Sequence, residues 1–234
     1  MSSIKYFYVL AVIAAAAQLS SATFQRRDEC LAGVNHKSRP GPEPYLRACR
    51  TYRNSACCTP QFTRQLAASP ITKVGDTNWN LCGQLSARCE RHMVATECFY
   101  RCSPNIVHWA SPNYPAATVR VPICASDCDA WFDACKDDFT CAENWLTDWN
   151  FTKSGEKQCK GPCKTFAETY KDGRGLCQKM WALSLDYSTD SNRCMKLKWD
   201  GRQGNPNNDA VQRIFQSTGY FRSVMDSIYG LFGA

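Results

Sequence analysis

The chain has 234 residues, sixteen cysteines, seven tryptophans and a formal charge of +7. That length suits one domain, and an even, high cysteine count argues against a reducing compartment and for a disulfide-held fold. The positive charge is scattered among acids, as in Lys136-Asp137-Asp138, with no basic tract, so a nucleic-acid partner is not expected.

Residues 1–22 read as a secretory signal. Lys5 gives the positive start, Tyr6 to Ala17 is an apolar run too short to span a bilayer, and Ser20 and Ala22 sit at −3 and −1 of a cleavage site. All the cysteines follow it, in a cysteine-rich domain spanning residues 23–204. Full pairing would make eight bridges, and counting alone leaves their connectivity open. Residues 205–234 form a tail. Its Gly219–Ala234 stretch carries Arg222 and Asp226, a poor fit to a lipid-anchor signal, and no later apolar run is long enough for a transmembrane segment. The expected localisation is extracellular.

A short strand is expected near Ile71–Val74. Asp76–Glu97 reads as an amphipathic helix, with Cys82, Leu85, Cys89 and Met93 at helical spacing. Pro104 closes the segment after it. A second short strand is expected at Arg120–Val121. Pro122 then opens a helix in which Cys124, Cys128, Trp131 and Cys135 share one stripe. Asn150-Phe151-Thr152 is a glycosylation sequon and belongs on the surface. Lys157, Lys160 and Lys164 form the densest basic run, read as a solvated face. Helices are expected over Pro162–Tyr170 and Leu176–Leu185. Val211, Ile214 and Phe215, then Phe221, Val224, Met225 and Ile228, predict an amphipathic tail helix outside the disulfide framework. The class is α+β: one helix-rich domain with short strands.

Catalytic patterns are thin. There are three histidines, no Gly-x-Ser-x-Gly elbow and no His-Glu-x-x-His helix. The Cys-x-x-x-Cys pairs at 98/102, 124/128 and 159/163 read as bridge partners and not as zinc ligands, and no metal or catalytic cofactor is expected. The chain reads as a non-enzyme. The positive signal is aromatic. Trp131 lies on the cysteine stripe and is assigned to the core. Trp145 and Trp149 recur in a polar segment beside the sequon, which points to a ligand-gripping role.

The strings KSRPGPEP (37–44), Ala56-Cys57-Cys58, QLAASPITKV (65–74), WNLCGQLS (79–86), CFYRCSP (98–104), ACKDD (134–138), NWLTDW (144–149) and CQKMW (177–181) carry a resemblance to a known family. They resemble the folate receptor and riboflavin-binding protein family, and within it the egg-type riboflavin-binding branch. The resemblance implies a helix-rich single domain with a deep central pocket. It also implies the pairs Cys30–Cys57, Cys49–Cys98, Cys58–Cys102, Cys82–Cys163, Cys89–Cys135, Cys124–Cys194, Cys128–Cys177 and Cys141–Cys159.

The resemblance further implies that Tyr100 and Trp181 sandwich a flavin ring. Trp145 and Trp149 match further pocket tryptophans, Ser184 matches a pocket serine, and Thr96 and Trp79 are lining residues. In folate receptors an Asp stands where this chain has Thr96, and the Asn113–Ala117 loop here lacks the arginines found near the folate glutamate tail. A pocket without cations would leave a folate's two carboxylates desolvated and unpaired. Riboflavin, neutral near pH 7, is therefore the expected ligand, and folate or a pterin the alternative. A vitamin-free adhesion or recognition protein on the same scaffold is the other alternative. The expected partner is the small vitamin, bound by a monomer. An uptake receptor is implied by the branch, but its Ser- and Glu-rich segment is replaced here by Gly204-Asn205-Pro206-Asn207-Asn208.

Overall fold

A computed structural model describes residues 28–216. The signal segment and the tail positions Phe221, Val224, Met225 and Ile228 lie outside the described residues. Within them are six α-helices: α1 (Pro60–Gln65), α2 (Ala87–Cys102), α3 (Ala125–Cys135), α4 (Phe166–Tyr170), α5 (Gly173–Lys179) and α6 (Asn207–Gln216). Among the described residues the named strands form five two-stranded pairs. One of these pairs is parallel, Leu185–Ser188 on Val121–Cys124.

Caps set where the helices begin. The structure starts α2 at Ala87, eleven residues later than the periodicity predicts. Ser86 stops it from extending backward: its hydroxyl accepts from Cys89 N, while its own N–H and O–H donate to the Asp138 carboxylate, each at 2.7 Å. The residues before it form a hairpin, Lys73–Val74 on Thr77–Asn78, turning at Gly75 with φ 55°. Leu85, Cys89 and Met93 are still buried, so the apolar spacing was real but began in a loop.

Pro122 does not open a helix. It lies in the strand Val121–Cys124, which is buried throughout and leads into α3 at Ala125. The far edge of this strand bonds Met195 through Pro122 O, which accepts from Met195 N at 2.7 Å, and Cys124 N, which donates to Met195 O at 3.0 Å, so the N–H that proline lacks is not among the donors used there. The predicted helix over Pro162–Tyr170 is split: Lys164–Thr165 pairs with Phe139–Thr140, and Thr165 forms a capping box with Glu168 to start α4. The predicted Leu176–Leu185 helix starts earlier and ends sooner. Asp172 caps α5, a 3-10 turn covers Ala182–Ser184, and Leu185 enters the parallel strand. Gly173 is required there, since a Cβ would stand 2.7 Å from the Asp129 backbone of α3.

All eight expected cysteine pairs are bonded, with Cα–Cα distances between 4.5 and 5.8 Å. They tie α2 and α3 into one core around Trp131, Phe99, Phe62, Phe166, Met93 and Leu176. Helix α6 docks on that core, burying Ala210, Val211 and Ile214. The Asn207 side chain bonds both the N–H and the C=O of Lys196, and Asn105 Nδ2 donates to Asn208 Oδ1. The start of the tail is thus held by the framework.

Candidate ligand pocket

A cavity of about 520 Å³ opens beside the C-terminal half of α2. That helix presents Thr96 and Tyr100, four residues apart and so on one face, together with Glu97 and Arg101. Trp181 and Ser184 also line it, where α5 gives way to the 3-10 turn. The hairpin supplies Asp76 and Thr77, the 114–118 loop supplies Tyr114 and Ala116, and Leu146 and Lys157 complete the wall. The volume falls within the range of small-molecule sites.

Tyr100 is held from several sides. Its hydroxyl donates to Ala116 O at 2.5 Å, clamping the 114–118 loop to α2. His36 meets the ring edge-on at 5.3 Å and donates through Nε2–H to Tyr100 O at 3.1 Å. Burial and the nearby Arg101 hold the His36 pKa below its ordinary value. The Arg101 guanidinium lies 4.8 Å over the Tyr100 ring.

Two cations do reach the cavity, which corrects the expectation of a pocket without them. They come from α2 and the 157–159 strand, not from the Asn113–Ala117 loop. Arg101 is paired with an acid, and Lys157 is held by a hydroxyl within the electrostatic reach of Asp76. Arg101 Nε lies 3.7 Å from Glu97 Oε2, and its Nη1 donates to Val34 O at 2.7 Å. Burial pushes the Glu97 carboxyl up, and Arg101 opposes that shift. Lys157 donates to Thr77 Oγ1 at 3.0 Å and lies 5.5 Å over the Trp149 ring. Burial lowers its pKa, against the pull of Asp76. With Asp76, Glu97, Arg101 and Lys157 in the wall, the formal charges cancel.

Of the seven residues read from sequence as ligand-binding, Tyr100, Trp181, Thr96 and Ser184 line the cavity. Trp79, Trp145 and Trp149 do not. They are buried, at 2%, 2% and 4% exposure. Trp145 packs edge-on against Trp181 with centroids 6.0 Å apart, and Trp149 packs against Trp145 at 6.0 Å. Trp145 Nε1 donates to Thr140 Oγ1 and Trp149 Nε1 to Trp145 O, so both indoles spend their polar handles inside the protein. Trp131 is fully buried, as assigned. Sequence reasoning missed Asp76, Thr77, Leu146 and Lys157 as lining residues. They come from one hairpin, a turn and a distant strand, and no local pattern marks them.

The folate receptor family model matches residues 29–196. A riboflavin-binding protein of Gallus gallus is 48% identical over 181 residues, covering 77% of this chain and 76% of its own length. One from Dromaius novaehollandiae is 46% identical over 172 residues, covering 74% and 72%. Folate receptor alpha of Homo sapiens is 34% identical over 192 residues, covering 78% and 74%. These relatives are named as binding proteins and receptors. A match over most of the chain, with all eight bridges in place, means that the chain belongs to the folate receptor family.

Proposed function

We propose that this chain is a secreted, monomeric carrier that binds riboflavin without chemical change. The observation that carries the reading is the charge-balanced, aromatic cavity. A neutral tricyclic ring would lie between Tyr100 and Trp181, with Thr96 and Ser184 hydrogen-bonding its polar edge. Trp145 and Trp149 would act through Trp181, holding its ring at a fixed angle. Asp76, Thr77 and Lys157 offer donors and acceptors to a polyhydroxyl chain at the rim. A folate would bring two carboxylates into a wall whose formal charges already cancel, with Arg101 paired to Glu97. The relatives named for riboflavin support the same choice. Among the described residues no helix is long and apolar enough to cross a membrane.

Folate binding is the second reading, favoured by Arg101 and Lys157 at the cavity and by the human folate receptor match. Titrating both vitamins into the purified protein separates the two. Riboflavin is expected to bind one per chain with its fluorescence quenched by stacking, and folate far more weakly. Equal or tighter folate binding would overturn the assignment.

A further inference from the structure

Six of the eight bridges are sealed in the core: their twelve cysteines are all buried. The other two, Cys82–Cys163 and Cys141–Cys159, contain no buried residue, and Cys163 is exposed. These two accessible bridges also touch one another. Cys82 Sγ lies 4.0 Å from Cys159 Sγ, and all four sulfurs fall within 4.8 Å of each other. Disulfide exchange needs a sulfur within reach of a second bridge and an open path for an attacking thiolate. Among the described residues both conditions meet only here. The basic run adds a third element. Lys160 follows Cys159 and Lys164 follows Cys163, both exposed, and neighbouring cations favour thiolates and draw in anionic thiols.

We propose that these four cysteines form a thiol-exchange site that takes a low-molecular-weight acidic thiol and interconverts two pairings. The thiol first loses its proton to solvent. The thiolate attacks Cys163 Sγ, forming a mixed disulfide and releasing Cys82 as a thiolate. Cys82 attacks Cys159 Sγ, which breaks the Cys141–Cys159 bond and releases Cys141. Cys141 attacks Cys163 Sγ and expels the original thiolate, which regains its proton. The product holds Cys82–Cys159 and Cys141–Cys163, with no net oxidation or reduction. The segment retied in this way carries Leu146 and Lys157, so exchange acts on the cavity wall.

The test uses the intact secreted protein, incubated with reduced and oxidised glutathione, quenched in acid, alkylated and mapped without reduction. Adducts confined to Cys82, Cys141, Cys159 and Cys163, together with a Cys82–Cys159 peptide, are expected. First reaction at any of the twelve buried cysteines overturns the proposal. So does opening of the four without a Cys82–Cys159 peptide. Cys163→Ser isolates the second step: Cys82 should be found bonded to Cys159, with Cys141 alkylated. An intact Cys141–Cys159 bond beside an alkylated Cys82 refutes it. If that variant is not secreted, the wild-type map decides alone.

Discussion

Tyr100 makes two separable contributions, and a pair of substitutions divides them. Tyr100→Ala removes the ring, its edge contact with His36 and the Arg101 contact over its face. Loss of one stacking partner is worth about 1–3 kcal/mol by analogy with bases on aromatic side chains, or roughly 5- to 150-fold in Kd. Tyr100→Phe keeps the ring and removes only the hydroxyl, whose partner is Ala116 O at 2.5 Å. One such hydrogen bond contributes a net of about 0.5–1.5 kcal/mol. It acts on the ligand only through the 114–118 loop, so riboflavin affinity should fall by no more than about tenfold. The assay is quenching of flavin fluorescence on titration, read both as Kd and as the residual emission of the saturated complex. Tyr100→Phe should quench as fully as the parent, and Tyr100→Ala should leave part of the emission. Equal losses in the two variants would mean that the hydroxyl bonds the ligand, and the stacking account would fail.

Trp131→Ala should lower thermal stability and secretion, by about 3–5 kcal/mol for a fully buried indole, because it touches the core and not the cavity; a well-folded variant that has lost only riboflavin would contradict that. Trp145→Ala should weaken both stability and binding, since it props Trp181, and thermal melts beside titrations will separate the two effects. The His92 pKa is pushed down to about 4 from 6.5, by burial first and then by Lys198, Arg91 and Arg88. The unfolded chain therefore takes up this proton first, so the stability His92 contributes is present above pH 6.5 and lost as pH falls through 4. His92→Gln should flatten part of that loss in Tm-against-pH curves, and parallel curves would refute the assignment. The Asn150 side chain is exposed on the Trp149–Phe151 strand, so glycosidase treatment should reduce the mass of the secreted protein, and Asn150→Gln should abolish the shift.

The cysteine pairing was legible only through the family resemblance; the count of sixteen cysteines by itself left the connectivity open. The helices were legible as stripes but not as boundaries. Ser86, Thr165 and Asp172 decide those boundaries through caps that apolar periodicity does not register. Pro122 misled in the same way. A proline after a loop suits a first helical turn, yet here it sits in a strand whose partner lies 64 residues onward, at Asp186. Tyr100 and Trp181 could be read from their cysteine motifs. Trp145 and Trp149 could not be told from pocket residues, because a polar neighbourhood in sequence says nothing of what folds over it. Lys157 stands over Trp149 and reaches Thr77, 80 residues away in the chain. Contacts of that range bring separate segments of the chain together at the cavity wall.

The order of the bridges along the chain bears on biosynthesis. Three of them, Cys30–Cys57, Cys49–Cys98 and Cys58–Cys102, join residues no later than 102. A chain entering the lumen N-terminus first can close these before its second half has been made. Tyr100, flanked by Cys98 and Cys102, is then anchored early. Trp181 lies between Cys177 and Cys194, whose partners Cys128 and Cys124 must wait for the last part of the domain to emerge. The two rings that would grip the vitamin thus come from opposite ends of the assembly sequence. A nascent chain should be unable to hold ligand until its final bridges have formed, and capture of the vitamin would report that oxidative maturation is complete.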